Sequence, residues 1–364
     1  MLTGNIGEWS EIYALFKLLS DGKLIPGNEN IEKIKDVFYP IVKILRTESN
    51  GTFEYSIKDE IIISSENKEI IRIPISLFKE KTSLLLEKIK RNKERTFNVP
   101  EIEAFMHEIK CISLKADSNS KSDINIVIHD LRTNQQPLLG FSIKSQLGSA
   151  STLLNPGKTT NFIYKVVGKN ILSEIEEINS IVTNRGEKIS KDIKGRLKFI
   201  YDKENKLEFV RVESTVFENN LTLIDSLLPK IISEIILEYY SGNNSNLSDI
   251  VKSLQNTNPL KYDLSSNHLF YSYKTKRLLT DIALGMTPSK VWSGDYHATG
   301  GYLIVKENGD VICYHIYDKK EFENYLLNNT KLDTASSSRY EFGELYFDNG
   351  ELYFKLNLQI RFIK

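Results

Sequence analysis

Asp123, Ser142 and Lys144 are the residues of this 364-residue chain whose types and spacing could do chemistry together. They fall in the stretch SDINIVIHDLRTNQQPLLGFSIKSQ, where Asp123 opens one β-type run and Lys144 closes the next. Ser142 lies two residues before Lys144, so both side chains project from one face of a strand. A carboxylate on one strand and an ammonium group on its neighbour suit phosphodiester hydrolysis assisted by a hard divalent cation, Mg²⁺, with Mn²⁺ as a substitute. In that chemistry Asp123 and a main-chain carbonyl, that of Ile143, hold the ion through oxygen. The ion neutralises phosphate charge and lowers the pKa of bound water, and Lys144 orients the attacking water. The pattern also has a plainer reading, an Asp and a Lys on the wet side of a half-buried hairpin.

These residues need a hairpin to bring them together. Ile124, Val127 and Ile128 are β-formers, Arg132–Pro137 supplies turn residues, and Leu138, Leu139, Phe141 and Ile143 form the return strand. A further acidic group must come from elsewhere. In NIGEWSEIYALFKLLS, Ile6, Trp9, Ile12, Tyr13, Leu15, Phe16 and Leu19 form a stripe of helical period, with Gly22 as the stop. Glu8 and Glu11 sit on its first turns, where a carboxylate also simply suits the helix dipole. A helix under the hairpin could lend one of them, and Glu11, inside the helix, is better placed. A later helix, PEIEAFMHEI, starts with Pro100 in its first turn and carries two reserve carboxylates, Glu103 and Glu108.

After Lys144 the chain reads SQLGSASTLLNPGKTTN. Gln146, Ser149, Ser151, Thr152 and Asn155 there offer amide and hydroxyl groups of the kind that fix a DNA backbone. Near the end, Ser337, Ser338 and Arg339 sit in a turn-rich loop, and Gln359 and Arg361 alternate on the last strand so as to point one way. Arg can read guanine bidentately, so these residues are expected to touch DNA. A solvated polar face is the competing account for that strand. The basic tail KIKRNKER of the helix expected over 75–92 could touch phosphate or merely face solvent.

The remaining chain predicts an α/β fold: a mixed central sheet flanked by helices, a small antiparallel sheet inserted over about 37–74, and a β-rich C-terminal region. The expected division is a core over 1–286 and a C-terminal region over 287–364 that contributes to DNA recognition. Further expectations are a helix near 170–182, a hairpin in GRLKFIYDKENKLEFVRVES and one long helix over 217–241. A helix is expected over 267–286, and hairpins turn at Asn308-Gly309-Asp310 and Asp348-Asn349-Gly350. Forty-eight basic residues balance forty-eight acidic ones, which argues against non-specific coating of DNA but not against a local basic cleft. Cys313 has His315 two residues on, but one His with one Cys does not make a zinc site and the two read as a buried packing pair; the five histidines show no zinc-type pattern, and no GxSxG elbow or phosphate-binding loop occurs. With no secretory leader and no apolar run near about eighteen residues, a cytoplasmic protein is expected.

Several strings together resemble the HpaII-type type II restriction endonucleases, within the PD-(D/E)xK nuclease superfamily. They are GNIGEWSEIYALFKLLSDGKL, KADSNSKSDINI with GFSIKSQLGSASTLLN, TGGYLIVKENGDVICYHIY, LNNTKLDTASSSRYEFGELY and KLNLQIRF. The resemblance implies a bacterial enzyme that cuts double-stranded DNA at a short palindrome, CCGG for the family's namesake. It also implies Mg²⁺, action as a homodimer or by sequential nicking, and a protective methyltransferase in the same cell. Asp123 then matches the metal-binding Asp, Lys144 the catalytic Lys, and Glu11 the helix glutamate of many superfamily members. Ser142 departs from the pattern, which usually has Glu or Asp there. No carboxylate follows Lys144 until Glu174, so the missing charge is expected from upstream, from Glu11 before Glu103 or Glu108. Two other functions compete: a structure-specific repair nuclease on the same core, and a DNA-binding protein whose active site has decayed at Ser142.

Overall fold

The apolar stripe at the start of the chain forms a helix over Ile6–Asp21 in a computed structural model that describes residues 1–115, 122–185 and 188–363. Residues 116–121 of the KADSNSKSDINI string, and Lys364, lie outside the described residues. The helix starts at a capping box: Glu8 N donates to Asn5 Oδ1 at 3.0 Å, and Asn5 N donates to Glu8 Oε2 at 2.8 Å. It ends at Gly22, whose φ of 68° suits the left-handed cap, and whose N–H donates to the Leu18 carbonyl. Trp9, Ile12, Tyr13, Phe16 and Leu19 are buried against the sheet and against Phe78 and Phe105 of the helices Ile75–Arg91 and Pro100–Glu108.

The central sheet has nine strands among the described residues. Its order is Val311–His315, Gly301–Val305, Leu138–Ser145, Ile124–Ile128, Tyr39–Glu48, Gly51–Ile57, Glu60–Ser65 and Lys68–Pro74, with Lys23–Leu24 beside Tyr39–Glu48. The four strands between residues 39 and 74, expected as a separate small sheet, instead continue this one, because Tyr39–Glu48 pairs with Ile124–Ile128 and sets Ile44 opposite Ile126. The physical reason is burial. Ile126, Val127 and Ile128 are enclosed, and a strand so enclosed needs partners on both edges.

The other side of the hairpin pairs in parallel with Gly301–Val305, placing Tyr302 beside Ser142 and Ile304 beside Lys144. All five residues of that strand are buried, and alternate ones serve opposite faces. Leu303 and Val305 join the first helix's cluster, whereas Tyr302 and Ile304 join a second cluster with the helices Leu228–Ser241, Phe270–Leu284 and Lys319–Asn328. The C-terminal strands Thr330–Leu332, Glu351–Asn357 and Ile360–Phe362 pair within sheets that also hold Thr152–Leu154, Asn161–Val167 and Lys206–Val212. Strand pairing thus crosses the boundary expected near residue 286.

Two expectations fail on local grounds. GRLKFIY lies in a helix over Ile193–Asp202, because Ile193, Leu197 and Ile200 recur at helical spacing and Asp192 caps Gly195 N at 3.0 Å; only Lys206–Val212 is a strand. The long helix breaks into Thr215–Ile224 and Leu228–Ser241, with an extended Asp225 at the break and Pro229 in the new first turn. The helix expected near 170–182 is present but shorter, a 3₁₀ turn, Leu172–Glu174, running into the helix Ile175–Ser180.

Gly301 makes the junction between the Lys144 strand and its parallel partner. Its φ is 103°, and a Cβ there would lie 2.1 Å from the Tyr314 carbonyl oxygen. Gly350, at a hairpin turn with φ of 85°, has nothing within 4 Å of its Cβ direction. Gly350→Ala should therefore cost only backbone strain, ~1–2 kcal/mol. Gly301→Ala should cost distinctly more, read as a lower urea midpoint; equal midpoints would contradict this packing.

Candidate active site

Asp123 stands just ahead of Ile124–Ile128, and its amide donates to the Phe141 carbonyl at 2.9 Å, extending the hairpin ladder by one residue. That pairing aims the carboxylate across at the return strand. Asp123 Oδ2 accepts from Ser142 Oγ at 3.0 Å and from the Ile143 amide at 2.6 Å. Ser142 Oγ in turn accepts from Lys144 Nζ at 3.1 Å. One hydroxyl thus gives its proton to the carboxylate and a lone pair to the ammonium group. The Lys144 amine also lies 5.2 Å from the centroid of the Tyr302 ring. Burial pushes its pKa down, and the charges of Asp123 and Glu11 oppose that shift.

The first helix is fastened to the same strand. Ser10 Oγ donates to the Ile6 carbonyl and meets Ser145 Oγ at 2.8 Å. Glu11, the next residue, is half-buried, and its carboxyl is pushed up to about 8, first by burial and then by the Asp123 charge. Lys115 and Arg46 pull the other way. The Asp123 charge thus works against ionisation of Glu11, a repulsion that a bound cation would relieve.

A cleft of about 610 Å³ opens over this arrangement, walled by Glu11, Ile143, Lys144, Ser145, Gly148–Thr152, Glu94, Arg95 and Arg361. Of the residues expected to touch DNA, Ser149, Ser151, Thr152 and Arg361 are therefore in it. Arg361 Nη2 donates to the Ala150 carbonyl at 2.7 Å and so also props the 148–152 segment. Gln146 borders a small adjoining pocket with Ser151, and Asn155 borders a second cleft beyond Lys144. Gln359 is only 8% exposed, so it is buried by the sheet and is not on the open polar face expected for it. Ser337, Ser338 and Arg339 lie on a short helix, Ser337–Tyr340, and line neither cleft. Glu103 Oε1 lies 3.4 Å from the Met1 amine, and Glu108 is exposed; neither borders either cleft. In the basic tail, Lys88 and Arg91 pair with Glu101 and Glu87, and Arg95 is the residue that reaches the cleft.

Four contributors escaped the sequence. Tyr302 gave no signal without the parallel register that sets it beside Ser142. Glu94 was masked by its basic neighbours. Lys115 pairs with Glu8 at 3.0 Å, and its charge is felt by Glu11. The Arg46–Glu48 pair lies buried behind it: Arg46 Nη2 donates to the Ser113 carbonyl at 2.6 Å, and Ser113 Oγ donates to Glu48 Oε2 at 2.6 Å. This pins the chain two residues before Lys115.

The donors fit a hard cation of the Mg²⁺ kind. Among the described residues no three His, Cys, Asp or Glu side chains gather as a metal cluster. What is present is an oxygen set, the carboxylates of Asp123 and Glu11 with a main-chain carbonyl, and Mg²⁺ commonly takes one or two carboxylates and keeps several waters.

The profile of the HpaII restriction endonuclease family matches residues 5–362, and the chain belongs to that family. It is similar to the type II restriction enzyme HpaII of Haemophilus parainfluenzae, with 50% identity over 364 residues, 99% of each chain. No solved structure matches it. No helix among the described residues is long and apolar enough to cross a membrane.

The raised Glu11 carboxyl sets a pH dependence. Its pKa is higher folded than unfolded, so the folded, metal-free protein holds the extra proton and loses stability as pH rises from about 4.5 to about 8. Mg²⁺ must displace that proton, so it should raise the melting temperature more at pH 8 than at pH 6. Glu11→Gln should flatten the metal-free pH slope and abolish the Mg²⁺ increment; an unchanged increment would remove Glu11 from the site.

Proposed function

We propose that this type II restriction endonuclease hydrolyses phosphodiester bonds in double-stranded DNA at a short palindrome, CCGG-like, and leaves 5′-phosphate ends. The observation that carries this reading is the hydrogen-bonded chain from Asp123 through Ser142 to Lys144, at the wall of a cleft that also holds Glu11. Family membership and the identity to the Haemophilus enzyme support the substrate and the kind of target. The hairpin, helix and mixed sheet support a PD-(D/E)xK-type core.

Asp123, Glu11 and the Ile143 carbonyl would hold Mg²⁺, or Mn²⁺ in its place, and the bound ion supplies charge neutralisation at the phosphate and an acidified water. Lys144 holds the nucleophilic water by its ammonium group, and the Tyr302 ring keeps that group from swinging away. Ser142 fixes the spacing between Lys144 and Asp123 and, with its proton on Asp123, has a lone pair left to accept a hydrogen bond from the water. Ser149, Ser151, Thr152, Arg95 and Arg361 hold the DNA backbone along the cleft. A palindrome has two-fold symmetry, which a homodimer on DNA would match. The setting is a bacterial cytoplasm in which a cognate methyltransferase protects host DNA.

Digestion of a sequenced plasmid with Mg²⁺, followed by sequencing of the ends, should give discrete fragments sharing one palindrome. A smear would indicate a structure-specific nuclease, and intact plasmid with retained binding a decayed site. Asp123→Ala should lower cleavage by roughly 10²-fold or more while leaving specific binding in Ca²⁺ largely intact. Near wild-type cleavage by that variant would dismiss the hairpin as the active site.

A further inference from the structure

A second cleft, of about 590 Å³, opens on the far side of Lys144. It shares Lys144 and Thr152 with the first cleft, but its other wall is the chain from Ile282 to Ser289. The helix Phe270–Leu284 ends there, and Thr287-Pro288-Ser289-Lys290 forms a turn closed by Lys290 N donating to the Thr287 carbonyl at 3.4 Å. Pro288 takes the second turn position, which its fixed φ favours.

This turn is held from beneath by one side chain. Asn220, 3% exposed on the helix Thr215–Ile224, donates from Nδ2 to the carbonyls of Thr287 at 3.3 Å and Lys290 at 2.8 Å. Its Oδ1 accepts from Trp292 N at 3.1 Å. The Trp292 ring N–H is used as well, donating to the Asp295 carbonyl at 3.1 Å. Within this fixed frame Lys290 is exposed and Val291 is 84% exposed. A single exposed valine is ordinary on a protein surface. This one is held outward on a turn whose backbone groups are bonded by a buried amide, just past the wall of a cleft that contains Lys144.

We propose that the turn from Thr287 to Trp292 is a sequence-reading element that enters a groove of the duplex next to the scissile phosphate. Val291 makes an apolar contact with base edges, Lys290 contacts a flanking phosphate, and Asn220 is the positioning residue that keeps the turn rigid. The inference rests on the restriction-endonuclease reading and adds to it a source of specificity. The occupant is duplex DNA because a strand held at Lys144 must continue past it, and the second cleft lies on that path. Among the described residues Lys144 is also the only charged one lining that cleft, so contacts there suit bases and sugars better than phosphates.

The test compares wild type, Val291→Ser and Lys290→Ala on oligoduplexes carrying the mapped site and each single-base-pair variant of it. Both substitutions are on exposed side chains and should leave the melting temperature unchanged. Val291→Ser should lose about tenfold or more in kcat/KM on the true site, with a smaller ratio of true site to variant at one or more positions. Lys290→Ala should weaken binding to all duplexes alike and reduce the slope of log K against log salt by about 1. Asn220→Ala, checked for folding by its melting curve, should reproduce the lost discrimination of Val291→Ser. Wild-type discrimination by Val291→Ser at every position would overturn the proposal. Failure of the wild type to cut at any defined site would instead overturn the reading beneath it.

Discussion

The Ser142 hydroxyl, donating to Asp123 and accepting from Lys144, is the contact on which the rest of the site depends. A carboxylate and an ammonium group that met directly would form a pair with little reason to release either partner to a substrate. A hydroxyl between them keeps both aligned while leaving a carboxylate oxygen and two ammonium protons free for other partners. The hairpin register makes this contact, because Ile124 opposite Phe141 puts Asp123 beside Ser142. The parallel strand Gly301–Val305 then closes the other side with Tyr302, and the Tyr39–Glu48 strand braces the hairpin's outer edge.

The first helix supplies what the serine cannot. With Ser142 in place of a carboxylate, the hairpin carries only one acidic group, and Glu11 brings the second across from the helix that Ser10 ties to Ser145. Burial, and after it the Asp123 charge, raises its pKa, and Lys115, positioned by the buried Arg46–Glu48 pair, offsets part of that rise. The two clefts on either side of Lys144 differ in charge: Glu11, Glu94, Arg95 and Arg361 join Lys144 in lining the first, whereas hydroxyl and apolar side chains surround Lys144 in the second. That contrast matches the division between holding a backbone and reading bases.

Much of this was legible in the sequence where the signal is local. The first helix with Gly22 at its end, the Asp123–Lys144 hairpin and the Asn349-Gly350 turn all follow from period and turn chemistry, and each forms within a residue or two of its expected bounds. What stayed hidden depends on long-range pairing. Nothing in YPIVKILRTE says that it borders INIVI and not a sheet of its own, and nothing in GYLIV says that its tyrosine lies beside Ser142. Gln359 looked like an exposed strand residue by alternation, but tertiary packing encloses it. Asn220 looked like one more polar residue on a helix, and its hold on a turn some seventy residues later appears only in three dimensions.

The central claim is that Asp123 and Glu11 share one cation beside Lys144. Anomalous scattering from Mn²⁺ in crystals of the protein with an uncleavable duplex tests it directly. The account predicts a Mn²⁺ peak at about 2.0–2.2 Å from oxygens of Asp123 and Glu11 and from the Ile143 carbonyl. A peak bound by Asp123 and Glu94, or one away from Asp123 altogether, would contradict it.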